Sequence, residues 1–119
     1  MTKKVLICDD EEGIRESLKL ILSDFYELIV TDDPAQAVAL LEKSKDVGIV
    51  MMDIKMPKVS GLDILKEIKK RRPGVKVIMV TGYRSVETAA EATSLGADGY
   101  IVKPFRSEEI LEVVKKNIK

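Results

Sequence analysis

With 119 residues, 45% hydrophobic and 34% charged, the chain has the size and composition of one globular domain, and it needs no disulfide or structural metal to hold a core. Lysine plus arginine and aspartate plus glutamate number 20 each, so the net charge is zero and the basic footprint of a nucleic-acid binder is missing. The absence of histidine removes the commonest general base and zinc ligand, and the lone Cys8 lies in an apolar run with no partner for a disulfide and no base to activate it.

The first apolar run, residues 5–8, predicts a strand. Ile14, Leu18, Ile21 and Leu22 follow at i, i+4, i+7 and i+8, the stripe of an amphipathic helix. A short run at 28–30, flanked by charge, suits an edge strand. Asp33 then precedes Pro34, with Gln36 three residues after Asp33: a cap, a proline at the first helical position and a capping-box partner. Ala37, Leu40 and Leu41 carry that second helix. A third run occupies 49–52, and Leu62, Leu65 and Ile68 mark a third helix ended by Pro73-Gly74. Its basic end (Lys66, Lys69, Lys70, Arg71, Arg72) reads as a solvated helix terminus favoured by the dipole. Residues 75–80 form the fourth run. Ser85 is a cap for a helix with Val86, Ala89, Ala90 and Thr93 on its apolar face, and Gly96 ends it. The fifth run is 100–102, followed by Ser107 as a cap and by Ile110, Leu111, Val114 and Ile118.

Most of these runs are continuous rather than alternating, as in parallel strands covered on both faces. Strict strand–helix alternation predicts an α/β fold: one doubly wound (βα)5 domain over residues 1–119, flavodoxin-like, with parallel sheet order 2-1-3-4-5. Ligands of such sheets bind at the carboxyl ends of the strands. Asp9 and Asp10 stand at the first of those ends, Asp53 at the third, Thr81 at the fourth and Lys103 at the fifth. Singly, each reads as a turn, cap or loop residue. In this sheet order they converge. Carboxylates brought together repel, and oxygen ligands without histidine or cysteine select a hard divalent cation, Mg²⁺ or Mn²⁺. A carboxylate can also act as a nucleophile toward phosphorus, with a metal, an ammonium and a hydroxyl neutralising the charge that develops.

The pieces Val5-Leu6-Ile7-Cys8-Asp9-Asp10, Met52-Asp53-Ile54-Lys55-Met56-Pro57 with Gly61, Val80-Thr81-Gly82 and Lys103-Pro104-Phe105, in this order and over the full length, resemble the receiver domains of two-component response regulators. The stretch from Thr81 to Glu91 and the turn Leu95-Gly96-Ala97-Asp98 look most like receivers of the nitrogen-regulatory type or of single-domain phosphorelay proteins. The resemblance implies Asp53 as phosphoacceptor. It implies Asp10, Asp53 and the backbone carbonyl of Lys55 as direct metal ligands, with Asp9 helping through water. Thr81 and Lys103 would contact the phosphoryl group, Tyr100 would be a switch aromatic, and the Lys103–Pro104 bond would be cis. Ile14, which periodicity alone places in the core, would help dock the histidine-bearing partner together with Pro104 and Phe105. Tyr100 also fits an amphipathic residue at a sheet edge. Lys55 and Tyr83 depart from some relatives at positions that tune loss of the phosphoryl group, and imply slow autodephosphorylation.

The resemblance further implies a regulatory protein rather than an enzyme. Its partners would be a sensor histidine kinase or histidine phosphotransfer protein and an output domain or downstream protein, without direct contact to nucleic acid or membrane. A cytoplasmic location follows from the single reduced cysteine and from the lack of a membrane-length apolar stretch. Two other chemistries share parts of the pattern. A flavodoxin-type cofactor binder needs a phosphate-friendly first loop, where this chain has Asp9-Asp10-Glu11-Glu12. A hydrolase of the haloacid-dehalogenase type needs a second Asp two residues after the nucleophile, where this chain has Lys55.

Overall fold

The structure, a computed structural model, describes residues 3–118; residues 1, 2 and 119 of the predicted span lie outside the described residues. In chain order it contains β1 (Lys4–Cys8), α1 (Glu12–Leu22), β2 (Leu28–Thr31), α2 (Pro34–Lys43), β3 (Val47–Met52), β4 (Lys55–Met56), β5 (Val59–Ser60), α3 (Gly61–Arg71), β6 (Lys76–Thr81), α4 (Val86–Ser94), β7 (Gly99–Val102) and α5 (Ser107–Asn117). Five strands form one parallel sheet in the order β2-β1-β3-β6-β7. With the small antiparallel hairpin β4–β5 set aside, this is the predicted 2-1-3-4-5 order.

The period-2 alternation of a strand sends its side chains to two separate layers. Leu6, Cys8, Val50, Met52, Val77 and Met79 point to one face and join Ala37 and Leu41 of α2, Leu65 and Ile68 of α3 and Ala92 of α4. Val5, Ile7, Ile49, Met51, Ile78 and Val80 point to the other and join Leu18 and Leu22 of α1 and Ile110 and Val114 of α5. Because both faces are covered, the central strands read as unbroken apolar runs.

Local signals were obeyed in most places and refined in others. Asp33 caps α2 by accepting from the Ala35 N–H at 2.9 Å. Gln36 does not complete a capping box: its Oε1 accepts from the Thr31 hydroxyl at 3.0 Å, and that hydroxyl accepts the Asp33 N–H at 3.1 Å. Ser85 caps α4, accepting from the Thr88 N–H at 3.3 Å. Ser107 is the first helical residue of α5 rather than its cap; Arg106 precedes the helix, and its N–H is taken by the Glu109 carboxylate at 3.0 Å. The apolar face predicted for α4 is rotated. Val86 is 79% exposed, whereas Ala92 is fully buried. Alanine carries too weak a hydrophobic signal to set the phase of a helix against a single valine.

The basic end of α3 is also more than a solvated terminus. Arg72 donates to the carbonyls of Leu41 at 2.5 Å and Lys45 at 3.1 Å, closing the end of α2. Arg71 pairs with Glu67 and Glu42, and Lys69 donates to Asp98 at 2.7 Å and to the Val75 carbonyl at 2.9 Å. These contacts fix the end of the molecule opposite the carboxyl edge of the sheet.

The hairpin matters because it sits against Asp53. Its turn residue Lys58 has φ +71°, the left-handed region that favours glycine or asparagine, so the sequence carried no standard turn signature after Pro57. The chain then folds back so closely that the Gly61 N–H donates to the Ile54 carbonyl at 2.7 Å. A Cβ on Gly61 would stand 2.0 Å from the Asp53 carbonyl oxygen. Gly61→Ala should therefore lower stability by about 3 kcal/mol, the upper range for overpacking against backbone. Gly13 in α1 faces open space, and Gly13→Ala should raise stability by roughly 0.5–1 kcal/mol through helix propensity. Urea unfolding of the two variants beside the parent checks both signs.

Candidate functional site

In a parallel sheet, register is handed on past the last paired residues. Cys8 lies opposite Met52, so Asp9 and Asp53 leave the sheet side by side. The Asp53 N–H still donates to the Cys8 carbonyl at 3.3 Å, and the Asp9 N–H to the Thr31 carbonyl at 3.2 Å. Thr81 lies opposite Val102, and the Lys103 N–H donates to the Thr81 carbonyl at 2.8 Å. Sheet order and register thus bring together residues that lie far apart in the chain.

The Lys103 ammonium is the centre of the arrangement. It donates to Asp53 Oδ2 at 2.9 Å, Asp9 Oδ2 at 3.0 Å and Glu11 Oε1 at 3.1 Å. The other oxygen of each aspartate is held by main chain. Asp53 Oδ1 accepts from the N–H groups of Ile54 at 2.7 Å and Lys55 at 3.3 Å, and Asp9 Oδ1 accepts from the Glu11 N–H at 2.9 Å. Arg15 fixes the same corner by donating to the Asp9 carbonyl at 2.9 Å. The side chains of Asp9 and Asp53 are 2% and 6% exposed, so solvent contributes little to their charge balance.

Burial pushes the Asp9 carboxyl above its ordinary value, against the lowering effect of the Glu11 N–H and of Lys103. Burial also opposes the charge on Lys103, but its hydrogen bonds to Asp53 and Asp9 prevail and raise its pKa. Cys8, one residue before Asp9, is pushed up to about 12 by burial and by the neighbouring carboxylates. It is a core thiol, with its Sγ 3.9 Å from Met56 Sδ.

These residues floor an open cleft of about 580 Å³ lined by Asp10, Glu11, Asp53, Lys55, Met56, Pro57, Thr81, Gly82, Tyr83 and Lys103. Carboxylate oxygens of Asp9, Asp10, Glu11 and Asp53 lie within 4.8 Å of one another. Among the described residues, Lys103 is the ammonium that hydrogen-bonds to Asp9, Glu11 and Asp53. An all-oxygen set with surplus negative charge fits a hard divalent cation. Thr81 is fully buried at the cleft wall, its hydroxyl accepting from the Tyr83 N–H at 3.3 Å.

The predicted site residues separate into groups. Asp9, Asp10, Asp53, Thr81 and Lys103 converge on the cleft, and Lys55 and Tyr83 stand on its rim. Tyr100 lies on β7, outside the residues that line the cleft, half-buried against the α3–α4 layer, with its hydroxyl donating to the Tyr83 carbonyl at 2.9 Å. Ile14 and Phe105 are both half-buried against the α1–α5 layer, and Pro104, next to Phe105 in the chain, is exposed. The Lys103–Pro104 peptide bond is cis. Three contributors escaped the sequence reading: Glu11 as a partner of Lys103, Arg15 as an anchor for Asp9, and Arg84, which donates to the Lys103 carbonyl at 3.3 Å. Arg15 lies one turn into α1 on the side facing β1, which helical phase could have flagged. Nothing in the sequence spacing ties Arg84 to Lys103.

A family model described as the response regulator receiver domain matches residues 5–115. The chain is 37% identical over 116 residues to a chemotaxis protein CheY of Halobacterium salinarum, covering 96% of this chain and 95% of that one. It is 39% identical over 115 residues to a putative NtrX-like response regulator of Rickettsia bellii, covering 94% of this chain but only 24% of that one. Among solved structures, a CheY-like response regulator receiver domain protein from Methanospirillum hungatei superposes with a TM-score of 0.91 at 37% identity, covering 98% of this chain and 93% of that chain.

Lys103→Met should destabilise the protein by about 3 kcal/mol near neutral pH, because it strands nearly buried carboxylates. With the folded-state pKa of Asp9 already raised above 3.8, its ionised form costs stability above that range. The deficit of the variant should therefore shrink as pH falls through the carboxylate range. In the parent, the Lys103 contribution holds below its ordinary 10.5 and is lost as pH climbs beyond it. Denaturant midpoints of parent and variant across pH measure both trends.

Proposed function

The chain belongs to the response regulator receiver domain family, and from that membership we propose that Asp53 is the residue that accepts the phosphoryl group. Receiver domains are regulatory phosphoacceptors of two-component signalling, and that is the function of this one. The observation that carries the assignment of Asp53 is its setting. One carboxylate oxygen is pinned by two main-chain N–H groups, and the other is turned toward Lys103 in a cleft open to solvent.

The donor is a phosphohistidine on a sensor kinase or phosphotransfer protein. Asp53 Oδ2 forms the new P–O bond as the P–N bond breaks in line. The electron pair stays on the histidine nitrogen, and the proton carried by the other ring nitrogen lets imidazole leave neutral. The nucleophile is a carboxylate oxygen, so the step calls for no separate base. Asp10, Asp53 and the carbonyl of Lys55 would hold Mg²⁺, or Mn²⁺ in its place, with Asp9 acting through water. When bound, that ion would supply positive charge to offset the negative charge that develops during transfer. Lys103 supplies a second positive charge, and the Thr81 hydroxyl is the donor that turns to a phosphoryl oxygen.

Two features connect the acceptor to the rest of the domain. Thr81 and Tyr83 share a hydrogen bond, and Tyr100 holds the Tyr83 carbonyl. Movement of Thr81 toward a phosphoryl group therefore disturbs the loop before α4, which Tyr100 senses from β7. Ile14, Pro104 and Phe105 form the patch that receives the histidine-bearing partner. Among the described residues no helix is long and apolar enough to cross a membrane, in keeping with a cytoplasmic site of action.

Asp53→Asn should eliminate labelling by acetyl phosphate in the presence of Mg²⁺, followed by intact-mass spectrometry, and chelation by EDTA should do the same to the parent; full labelling of the variant would overturn the assignment. The phosphorylated protein should lose its label slowly, because Lys55 and Tyr83 flank the approach of water to Asp53. Replacing both by alanine should shorten the lifetime severalfold. A parent lifetime of seconds would contradict this reading.

A further inference from the structure

We propose that Glu11 is a positioning residue for Lys103, a releasable anchor that competes with the phosphoryl group for the ammonium and slows phosphorylation of Asp53. The proposal rests on the assignment of Asp53 as acceptor. An ammonium has three N–H donors. In this structure Asp53, Asp9 and Glu11 take one each, at 2.9, 3.0 and 3.1 Å. Lys103 therefore has no donor left for a phosphoryl oxygen, and one partner must let go.

The three partners differ in what release costs. The Asp9 side chain is 2% exposed and carries a burial penalty on its charge, so losing the ammonium leaves it stranded. Asp53 Oδ2 is the attacking oxygen, so its hydrogen bond is given up only as the P–O bond forms, too late to receive the incoming phosphoryl group. Glu11 is 61% exposed, and water replaces the lost hydrogen bond at little cost. Glu11 is the partner that yields. Until it does, its charge adds to those of Asp9, Asp10 and Asp53 around the cleft and opposes an incoming anionic donor. Glu12, the next carboxylate, makes no hydrogen bond or ion pair to Lys103, which separates the specific link from the general field.

Acetyl phosphate is a dianionic donor for which transfer balances simply: the Asp53 oxygen forms a P–O bond, the acyl P–O bond breaks, and acetate leaves with its electron pair. At saturating Mg²⁺, Glu11→Gln should raise the initial rate of labelling about two- to fivefold, the scale of one exposed ion pair. The gain should decline at high ionic strength. Glu12→Gln should leave the rate close to that of the parent. In a Lys103→Met background, where no ammonium remains to be released, Glu11→Gln should give no more gain than Glu12→Gln gives in the parent. Equal gains from Glu11→Gln and Glu12→Gln, or a Glu11→Gln gain that persists without Lys103, overturn the proposal while leaving Asp53 as acceptor. Label that fails to depend on Asp53 overturns the assignment beneath it instead.

Discussion

Everything at the carboxyl edge of the sheet depends on one ammonium group. The side chains of Asp9 and Asp53 are almost wholly withdrawn from water, and at neutral pH each would be costly to bury alone. Lys103 makes them compatible with folding, and it does so from the far side of the sheet order, at the end of β7. Its own backbone is held at both ends, its N–H donating to the Thr81 carbonyl and its carbonyl accepting from the Arg84 guanidinium. A single positive charge, fixed at both its backbone and its tip, thus permits an acidic site that no local stretch of sequence could stabilise. The same balance leaves room for a divalent cation, because one lysine does not neutralise four neighbouring carboxylates.

The path from sequence to site was legible where physics acts through periodicity and order. Continuous apolar runs gave five covered strands, the alternation gave a doubly wound sheet, and strand order then forced Asp9, Asp53, Thr81 and Lys103 to one edge. What could not be read was set by tertiary geometry. The β4–β5 hairpin has strands of two residues and a lysine at a positive φ, so neither length nor turn chemistry announced it. The phase of α4 was missed because its buried residue is an alanine. The clasp made by Lys69, Arg71 and Arg72 was read as solvated charge because its acceptors, mainly carbonyls at the end of α2 and carboxylates on other elements, are invisible to a linear pattern. Glu11 belongs to the same class: an exposed acid near a helix start whose partner lies ninety-two residues away.

The two ends of the molecule are built to different purposes by the same chemistry. At the closed end, the Arg72 guanidinium donates to main-chain carbonyls and Lys69 to both a carbonyl and a carboxylate, so charge is spent on holding α2, α3 and the strand ends together. At the open end, charge is left partly unbalanced, with Asp10 and Glu11 facing solvent in the cleft.

The alanine core of α4 has a mechanical meaning. α1 buries Leu18 and Leu22, α3 buries Leu65 and Ile68, and α5 buries Ile110 and Val114, whereas α4 buries only Ala92 completely. Sliding α4 by a fraction of a turn uncovers little more than a methyl group, about 0.8 kcal/mol of hydrophobic stabilisation. The same displacement of α3 would cost several times as much. Of the five helices, α4 is the slackest spring. It begins five residues after Thr81, on the loop whose carbonyl Tyr100 holds, so a single hydrogen bond made or broken at the cleft is commensurate with its movement.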